Sequence, residues 1–179
     1  MPNGCWRRGR KRAEGARSPR LQRLVTIAIR PATPRDSGAW LRLRHALWPD
    51  GSASEHRAEI DRFFAGQARE PLAVLLAEDE AGGVLGLAEL SIRPSAEGCS
   101  SDRVAYLEGW FVVPEARRRG VGRALVAAAE EWGRDQGCTE FASDSQPDNL
   151  VSAAAHRALG FLEVGSVRCF RKGLQVGLR

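Results

Sequence analysis

The feature that most constrains this chain is a long apolar strand that leads, through an Arg- and Gly-containing turn, into an amphipathic helix. Residues 104–113 form the longest apolar run, so this strand should lie centrally in its sheet. Apolar side chains from Val121 to Trp132 recur at helical spacing and predict a helix over residues 122–136. A further strand runs from Phe141 to about Asp144. Strand, helix and strand imply a right-handed parallel βαβ unit within a mixed sheet.

The rest of the sequence adds elements around this unit. An alternating strand over residues 25–30 precedes two helices, the first capped by Thr33 and the second by Ser54. Two β-rich runs joined by an Asp- and Gly-containing turn predict an antiparallel hairpin. The hairpin strands span residues 72–78 and 84–92, the last helix spans 149–158, and two closing strands span 161–164 and 167–172. The predicted fold is an α/β (α+β) mixed sheet in the order β-α-α-β-β-β-α-β-α-β-β.

Charge divides the chain into two parts. Residues 1–24 contain eight basic side chains against the single acid Glu14, a net charge of +7, and lack the apolar residues of a core. Because the whole chain carries +5, the remainder carries −2. We therefore expect residues 1–24 to be a disordered basic extension and residues 25–179 to be a single domain. A slightly acidic domain offers no general nucleic-acid surface but attracts a cationic small molecule. The extension is either a solvated segment or a nucleic-acid-binding arm.

The sequence predicts neither a membrane segment nor a metal site. No run approaches the ~18–20 apolar residues of a membrane-spanning helix, and the extension lacks the apolar region of a secretory signal. The cysteines form no C-x-x-C pair and have no neighbouring His; they are Cys5, Cys99, Cys138 and Cys169. We expect reduced thiols in a cytoplasmic protein, with Cys138 and Cys169 as small core residues.

The turn between the central strand and its helix has the chemistry of an anion site. Residues 117–122 read Arg-Arg-Arg-Gly-Val-Gly, an R-x-x-G-x-G pattern. Glycine lets backbone approach a ligand, successive N–H groups point out of the turn, and the helix start adds positive charge; together these favour a pyrophosphate. Leu125 stands where a dinucleotide motif has its third glycine, and the Lys-Ser/Thr of a nucleotide triphosphatase is absent. The alternative is a helix cap on a solvated face.

The longer segment 111–125, with Asn149 and Gly160-Phe161 downstream, resembles the GNAT superfamily of acetyl-coenzyme A-dependent N-acetyltransferases. The resemblance covers residues 25–173 and implies a GNAT-like fold in which the central parallel strands splay apart. It also implies acetyl-CoA as the cosubstrate, with its pantetheine arm on Asn149 and on backbone groups of Val112 and Val113. The backbone amides that would hold the pyrophosphate are those of Arg118, Arg119, Gly120, Val121 and Gly122.

Four short fragments narrow the resemblance. Residues 46–50, 107–112, 142–145 and 156–161 are similar, in this order, to the aminoglycoside 6'-N-acetyltransferases of bacterial antibiotic resistance. The similarity implies acetyl transfer to the 6'-amine of an aminoglycoside by direct attack in a ternary complex. It also implies a homodimer, since such enzymes often pair. The open alternatives are acetylation of a protein N-terminus, a lysine or a polyamine, and a non-catalytic regulator that binds acetyl-CoA while the basic extension holds nucleic acid.

Two acidic residues are the candidate catalytic and substrate-binding groups. Glu108 interrupts the apolar central strand, where an unpaired carboxylate is costly unless it faces a wet cleft or a cation. Asp144 ends the neighbouring strand, so the two acids would flank the acetyl group and attract the ammonium groups of a drug. Either acid, acting through water, is a candidate base for the attacking amine, while the N–H of Val112 or Val113 would stabilise the oxyanion. Alternatively, Glu108 pairs with an arginine and Asp144 caps a turn.

Two aromatic positions have open roles. Trp48, ahead of Pro49-Asp50, either forms an apolar wall for a sugar ring of the substrate or ends the first helix in the core. His156 stands where many GNAT members carry a tyrosine that protonates the departing thiolate. It either serves as that acid or is a helix histidine satisfied by a neighbour.

Overall fold

A sheet with its strands in chain order forms the centre of the computed structural model, which describes residues 26–173. Within these residues, the strands are β1 Ile27–Pro31, β2 Ala73–Asp79, β3 Val84–Arg93, β4 Val104–Val112 and β5 Glu140–Ser143. The helices are α1 Ser37–Leu47, α2 Ala53–Phe64, α3 Val121–Asp135 and α4 Leu150–Ala158, with short 3-10 helices at Pro34–Asp36 and Pro114–Ala116. The predicted extension over residues 1–24 lies outside the described residues.

The sheet is antiparallel from β1 to β4 and parallel between β4 and β5. Helix α3 connects the two parallel strands, which confirms the predicted βαβ unit and the mixed α/β fold. The parallel register starts at Val104 opposite Glu140 and ends at Leu107 opposite Ser143. Beyond this point β4 continues to Val112 beside β3 alone. The parallel pair therefore splays apart, as the resemblance implies.

Helices cover both faces of the sheet. On one face, α3 buries Val121, Leu125 and Ala129 against the strands. On the other face, α1 and α2 bury an aromatic cluster in which Trp40, fully buried, packs edge-on against Phe63 at 5.0 Å between ring centroids. Each large side chain buried in this way contributes roughly 1.5–3 kcal/mol of transfer free energy. The sheet is thus fixed between two apolar layers.

Side-chain caps set the helix starts. Ser52 Oγ accepts the N–H of Glu55 at 3.1 Å, while the Glu55 carboxylate accepts the Ser52 N–H at 3.2 Å. This capping box corrects the prediction that Ser54 caps α2: Ser52 has the extended backbone that a cap requires, and Ser54 already lies in the first helical turn. Thr33 is the N-cap of the first 3-10 helix, and the Asp36 side chain completes its capping box.

The C-terminal part of the described chain departs from the prediction. Residues 161–173 contain no strand, although the sequence predicts strands over 161–164 and 167–172. A strand requires a hydrogen-bonded neighbour, and among the described residues the outer edge of β5 has none. Consequently Leu162 and Phe170 are 85% and 92% exposed. Cys169 is likewise exposed rather than in the core, whereas Cys138 is buried as predicted.

Residues 26–173 include no helix with both the length and the apolar character needed to cross a membrane. The same stretch holds no group of three or more His, Cys, Asp or Glu side chains arranged to bind a metal ion. Its three cysteines are free thiols.

Candidate active site

The turn between β4 and α3 presents a row of unpartnered backbone N–H groups. Arg118 and Gly120 both have left-handed backbone, with φ of 60° and 86°. When left-handed residues alternate with residues of other backbone conformation, successive N–H groups point toward one place and form an anion-binding concavity. The Gly120 carbonyl accepts the Ala124 N–H at 2.9 Å, whereas no acceptor among the described residues takes the N–H groups of residues 118–122. A pyrophosphate would satisfy these donors and complement the positive end of the helix dipole.

The two glycines of this turn have different roles. A Cβ at Gly120 would meet no atom within 4 Å, so the left-handed backbone is what requires glycine there. A Cβ at Gly122 would lie 2.7 Å from Cζ2 of Trp110. Gly122 therefore has a packing role, because its missing side chain lets α3 approach β4.

The backbone of β4 distinguishes the two candidate oxyanion donors. Val113 donates its N–H to the Leu85 carbonyl at 2.9 Å, and its own carbonyl accepts the Ala116 N–H at 3.0 Å. Neighbouring residues in a strand direct their N–H groups to opposite sides. The Val112 N–H therefore points away from β3, toward the gap that opens where β5 has diverged. Val112 rather than Val113 has the donor available for a ligand.

Glu108 and Asp144 are the first residues beyond the last parallel pair, on β4 and after β5 respectively. Glu108 is half-buried and Asp144 is exposed. The fold thus brings both predicted acids to the point where the strands separate, one on each side of the gap. The anion-binding turn follows from the far end of the same β4 strand.

Glu108 is paired with an arginine, which was one of its two expected roles. Arg93 donates Nε to Glu108 Oε1 at 2.9 Å and Nη2 to Oε2 at 2.5 Å, and Ser91 Oγ donates to Oε1. The Arg93 guanidinium also lies over the ring of Tyr106, 3.4 Å from its centroid. Burial alone would lower the pKa of Arg93, but the hydrogen bonds and charge of Glu108 outweigh burial and raise it. The guanidinium is therefore a permanent positive charge beside the acid.

Tyr106 lies two residues before Glu108 on β4. Burial raises the pKa of the Tyr106 phenol to about 12, and the negative charge of Asp144 adds to this rise. Tyr106 therefore stays a neutral phenol at physiological pH and is no candidate base. The charged groups at the strand separation are Glu108, Asp144 and Arg93.

A cavity of about 640 Å³ opens beside Glu108 on the side of α1 and α2. Trp48, the residue that ends α1, forms part of its wall. The indole also lies against β4 so closely that a Cβ at Gly109 would sit 2.5 Å from its Cη2 atom. One part of the Trp48 ring is therefore packed against β4, while another part faces the cavity that carries the Glu108 carboxylate.

A buried ionic network that the sequence patterns did not indicate runs along this cavity. Glu89 of β3, only 1% exposed, accepts the indole N–H of Trp40 at 2.6 Å, and Arg44 Nη1 lies 3.5 Å from its other oxygen. Arg44 also bridges to Glu59 at 2.6 Å and lies over the Trp48 ring at 5.2 Å. Burial raises the pKa of Glu89. The sequence does carry a signal for Glu89, because it is a lone acid within an apolar run, as Glu108 is on β4.

His156 and Asn149 are engaged inside the protein. His156 Nε2 lies 3.0 Å from Ser143 Oγ, and Nδ1 lies 2.8 Å from the Ser152 carbonyl. This arrangement fits a helix histidine satisfied by its neighbours. Asn149 Oδ1 accepts the Ser152 N–H at 3.0 Å and caps α4, so its amide N–H₂ is the part of the side chain left for a ligand.

Comparison with known proteins supplies the family. The profile of the Acetyltransferase (GNAT) family matches residues 40–161, which include the anion-binding turn and both sides of the strand separation. The chain belongs to this family. In this GNAT acetyltransferase, the matched region runs from within α1 to three residues beyond the end of α4, and the basic extension lies outside it.

This GNAT acetyltransferase is similar to proteins named aminoglycoside N(6')-acetyltransferase type 1. It is 58% identical to that of Klebsiella aerogenes over 146 residues, which are 82% of this chain and 96% of the relative. Among solved structures, AAC(6')-Iy in complex with CoA is 38% identical with a TM-score of 0.77, covering 85% of this chain and 98% of that one. AAC(6')-Iy in complex with the bisubstrate analogue CoA-S-monomethyl-acetylneamine is 39% identical with a TM-score of 0.76, covering 83% and 99%.

Proposed function

We propose that this chain transfers the acetyl group of acetyl-CoA to the 6'-amine of aminoglycoside antibiotics and thereby confers resistance to them. The observation that carries the proposal is the separation of β4 and β5, where an acidic residue stands on each side of a gap and an anion-binding turn follows the end of β4. A thioester that carries a diphosphate and an amine that carries several charges are the ligands such a site brings together. The 58% identity to an enzyme named for aminoglycosides favours that amine over others.

The residues around the turn fit acetyl-CoA, which supplies the thioester that the amine attacks. The five unpartnered N–H groups of residues 118–122 and the exposed side chains of Arg118 and Arg119 suit the pyrophosphate. The free amide N–H₂ of Asn149 suits the polar pantetheine arm. At Val112 only the N–H is free, because its carbonyl accepts Nε of Arg117 at 3.0 Å. Val113 contributes by its place in the strand, since both of its backbone groups are already engaged.

Asp144 is the better candidate for the base. An aliphatic amine, with a reference pKa near ~10, is mostly protonated at neutral pH and must lose a proton to attack. Glu108 already accepts three hydrogen bonds and its charge is offset by Arg93. Asp144 is exposed, so it takes the proton through water, while Glu108 and the Trp48 wall bind the rest of the drug.

The attack is direct, without an acyl-enzyme. The amine nitrogen forms a bond to the thioester carbon, the Val112 N–H stabilises the oxyanion, and the carbon–sulfur bond then breaks. His156 is an unsuitable acid for the leaving thiolate because both of its ring nitrogens face protein partners. The thiolate therefore leaves as such or takes a proton from water.

Release of the coenzyme A thiol tests the proposed function. The full chain is mixed with acetyl-CoA and one of three acceptors: an aminoglycoside with a 6'-amine, its analogue with a 6'-hydroxyl, or a lysine-containing peptide. We expect thiol release that saturates with the 6'-amine drug and is absent with the 6'-hydroxyl analogue. Turnover of the peptide alone would overturn the choice of substrate in favour of protein or polyamine acetylation.

The proposal includes a homodimer in the cytoplasm, where acetyl-CoA is available. Residues 161–173 carry strand-like sequence yet leave Leu162, Val164 and Phe170 exposed, and the outer edge of β5 has no neighbour among the described residues. Exposed apolar segments and open strand edges of this kind favour pairing with a second copy. Sedimentation of the chain should show a dimer, and the double change Leu162→Asp and Phe170→Asp should yield a monomer. A monomeric parent would overturn this part.

A further inference from the structure

We infer that Arg93 is the resident counter-ion of the acceptor site, occupying the Glu108 carboxylate until an ammonium group of the substrate competes for it. The inference rests on the proposed function, in which Glu108 binds a cationic acceptor. It adds a residue that sets the affinity for that acceptor without taking part in the chemistry.

The hydrogen bonds show how many acceptor positions of the Glu108 carboxylate are already filled. A carboxylate offers about four acceptor positions, two on each oxygen. Oε1 receives Ser91 Oγ and Arg93 Nε, and Oε2 receives Arg93 Nη2. One position, on Oε2, is left for a substrate ammonium. Any ammonium that binds there lies within a few ångströms of the guanidinium and is repelled by it.

The exposure of the pair permits exchange. The side chains of Arg93 and Glu108 are 35% and 18% exposed, so solvent and substrate reach both. Among the other carboxylates that line the cavity, Glu89 has a side chain only 2% exposed and is held by the Trp40 indole, so it does not exchange partners in this way. Arg93 is the last residue of β3, so its long side chain can turn away while the Tyr106 ring remains available to one face of the guanidinium.

The charge balance explains the need for such a residue. Glu108 and Asp144 follow the last parallel pair on the two sides of the strand separation, both carboxylates act electrostatically on Tyr106, and Tyr106 stays neutral. Arg93 offsets one of the two negative charges in the empty site, which limits the repulsion between the acids. On substrate binding, the ammonium groups of the drug take over that function. Arg93 thus lowers the affinity for a cationic acceptor, and the more so the more positive charges the acceptor brings close to the guanidinium.

The matched variants separate charge from geometry. Arg93→Gln removes the competing charge, and Arg93→Lys keeps the charge but loses the paired hydrogen bonds. Arg30→Gln is the control, because Arg30 of β1 makes a comparable two-carboxylate ion pair with Asp36 and Glu78 at similar exposure, three strands away from β4. Calorimetry measures the Kd of an aminoglycoside and of a sugar with a single amine, at low and high salt.

We expect Arg93→Gln to lower the Kd for the aminoglycoside about tenfold at low salt, from the Coulomb energy of like charges a few ångströms apart. The gain should be smaller for the single amine, which offers fewer charges, and should shrink as salt screens the site. Arg93→Lys should stay closer to the parent, and Arg30→Gln should leave the Kd unchanged. An Arg93→Gln Kd that is unchanged or raised would overturn the inference and make Arg93 a positioning residue for Glu108.

A second measurement needs no variant. The Nε–H resonance of Arg93 in the parent protein should shift on saturation with the aminoglycoside, while that of Arg30 should not. An unchanged Arg93 resonance at saturation would overturn the inference even where Arg93→Gln fails to fold. If the protein binds aminoglycosides but acetylates none of them, the proposed function is wrong. The Kd values would still decide the role of Arg93.

Discussion

At the scale of single residues, the best-defined charge in the fold is that of Asp36. It receives two hydrogen bonds from Arg30, at 2.8 and 2.9 Å, and one from the Thr33 N–H at 2.8 Å. The Arg30 guanidinium holds the pKa of this carboxyl well below its usual range. A carboxyl whose pKa falls on folding stabilises the protein above its unfolded pKa, near ~3.9, and loses that contribution as pH falls toward its folded value.

Asp36→Asn should therefore flatten the acid side of the stability profile. The free energy of unfolding of the variant at pH 7 should be lower by about 1.5–3 kcal/mol, the usual contribution of hydrogen bonds to a charged group. The difference from the parent should begin to shrink as pH falls below about 4, where the carboxyl of the unfolded parent takes up its proton. Urea unfolding between pH 7 and pH 3 measures this, with Asp61→Asn, an exposed acid of α2, as the control. Parallel profiles for parent and Asp36→Asn would contradict the assignment.

Asp144→Asn tests the assignment of the base. The variant should lower kcat for aminoglycoside acetylation by about 10²–10⁴-fold, the usual contribution of a general base, with little change in the KM for acetyl-CoA. Glu108→Gln should act mainly on the KM for the drug. Asp148→Asn, at an exposed acid of the same loop, is the control. A large kcat loss in Glu108→Gln together with an active Asp144→Asn would assign the base to Glu108 instead.

The candidate acids could be predicted from the sequence, but the side chains that contact them could not. A lone carboxylate in an apolar strand signals a special environment, so Glu108 was identifiable. Arg93 was not, because its contact depends on the pairing of β3 with β4, where the register shifts between Glu89 and Leu90. The spacing of residues along the chain does not predict such a shift in register. Val112 and Val113 could not be separated either, since strand hydrogen bonding decides which N–H is free.

At the scale of elements, the contact between α3 and β4 sets the position of the anion-binding turn. Gly122→Ala should lower the free energy of unfolding by about 1–3 kcal/mol, because its Cβ would meet Trp110 at 2.7 Å. It should also weaken acetyl-CoA binding, since α3 must shift. Gly38→Ala in α1, where a Cβ meets nothing within 4 Å, should instead add roughly 0.5–1 kcal/mol. Urea unfolding measures both, and equal effects would contradict the packing role of Gly122.

The link between α1, α2 and β3 depends on Arg44. Arg44→Met leaves the buried Glu89 carboxylate without its guanidinium, so the free energy of unfolding should fall by about 3–5 kcal/mol. The KM for the drug should rise, because Trp48 loses the side chain that lies over its ring. Arg42→Met, an exposed position on the same helix, is the control. An Arg44→Met protein as stable as the control would contradict the network.

Elements with a clear hydrophobic pattern could be predicted from the sequence. Strands that need a neighbouring strand to pair with could not. The βαβ unit follows from an apolar run and an amphipathic helix, and the structure confirms it. The closing strands have strand-like composition, but no neighbour among the described residues pairs with them. The start of α2 was displaced by two residues because Ser52 and Ser54 are both good caps, and only backbone conformation distinguishes them.

At the scale of the whole molecule, the positive charge and the proposed chemistry belong to different parts of the chain. Residues 1–24 carry +7 and the remainder −2. Removal of residues 1–24 should therefore leave the kcat and KM of acetylation unchanged, and the truncated chain should show no salt-dependent binding to nucleic acid. Steady-state kinetics and a filter-binding assay measure the two effects. Loss of acetylation on truncation would favour the regulator in which the extension acts together with the acetyl-CoA-binding domain.

The central claim is that the separation of β4 and β5 places an amine beside the thioester of acetyl-CoA for direct attack. Mass spectrometry and NMR of both drug and protein after incubation with acetyl-CoA test it most directly. The account predicts one acetyl group on the 6'-nitrogen of the drug, with the protein unacetylated throughout the reaction. An unmodified drug, or an acetyl group that appears first on the protein, would contradict it.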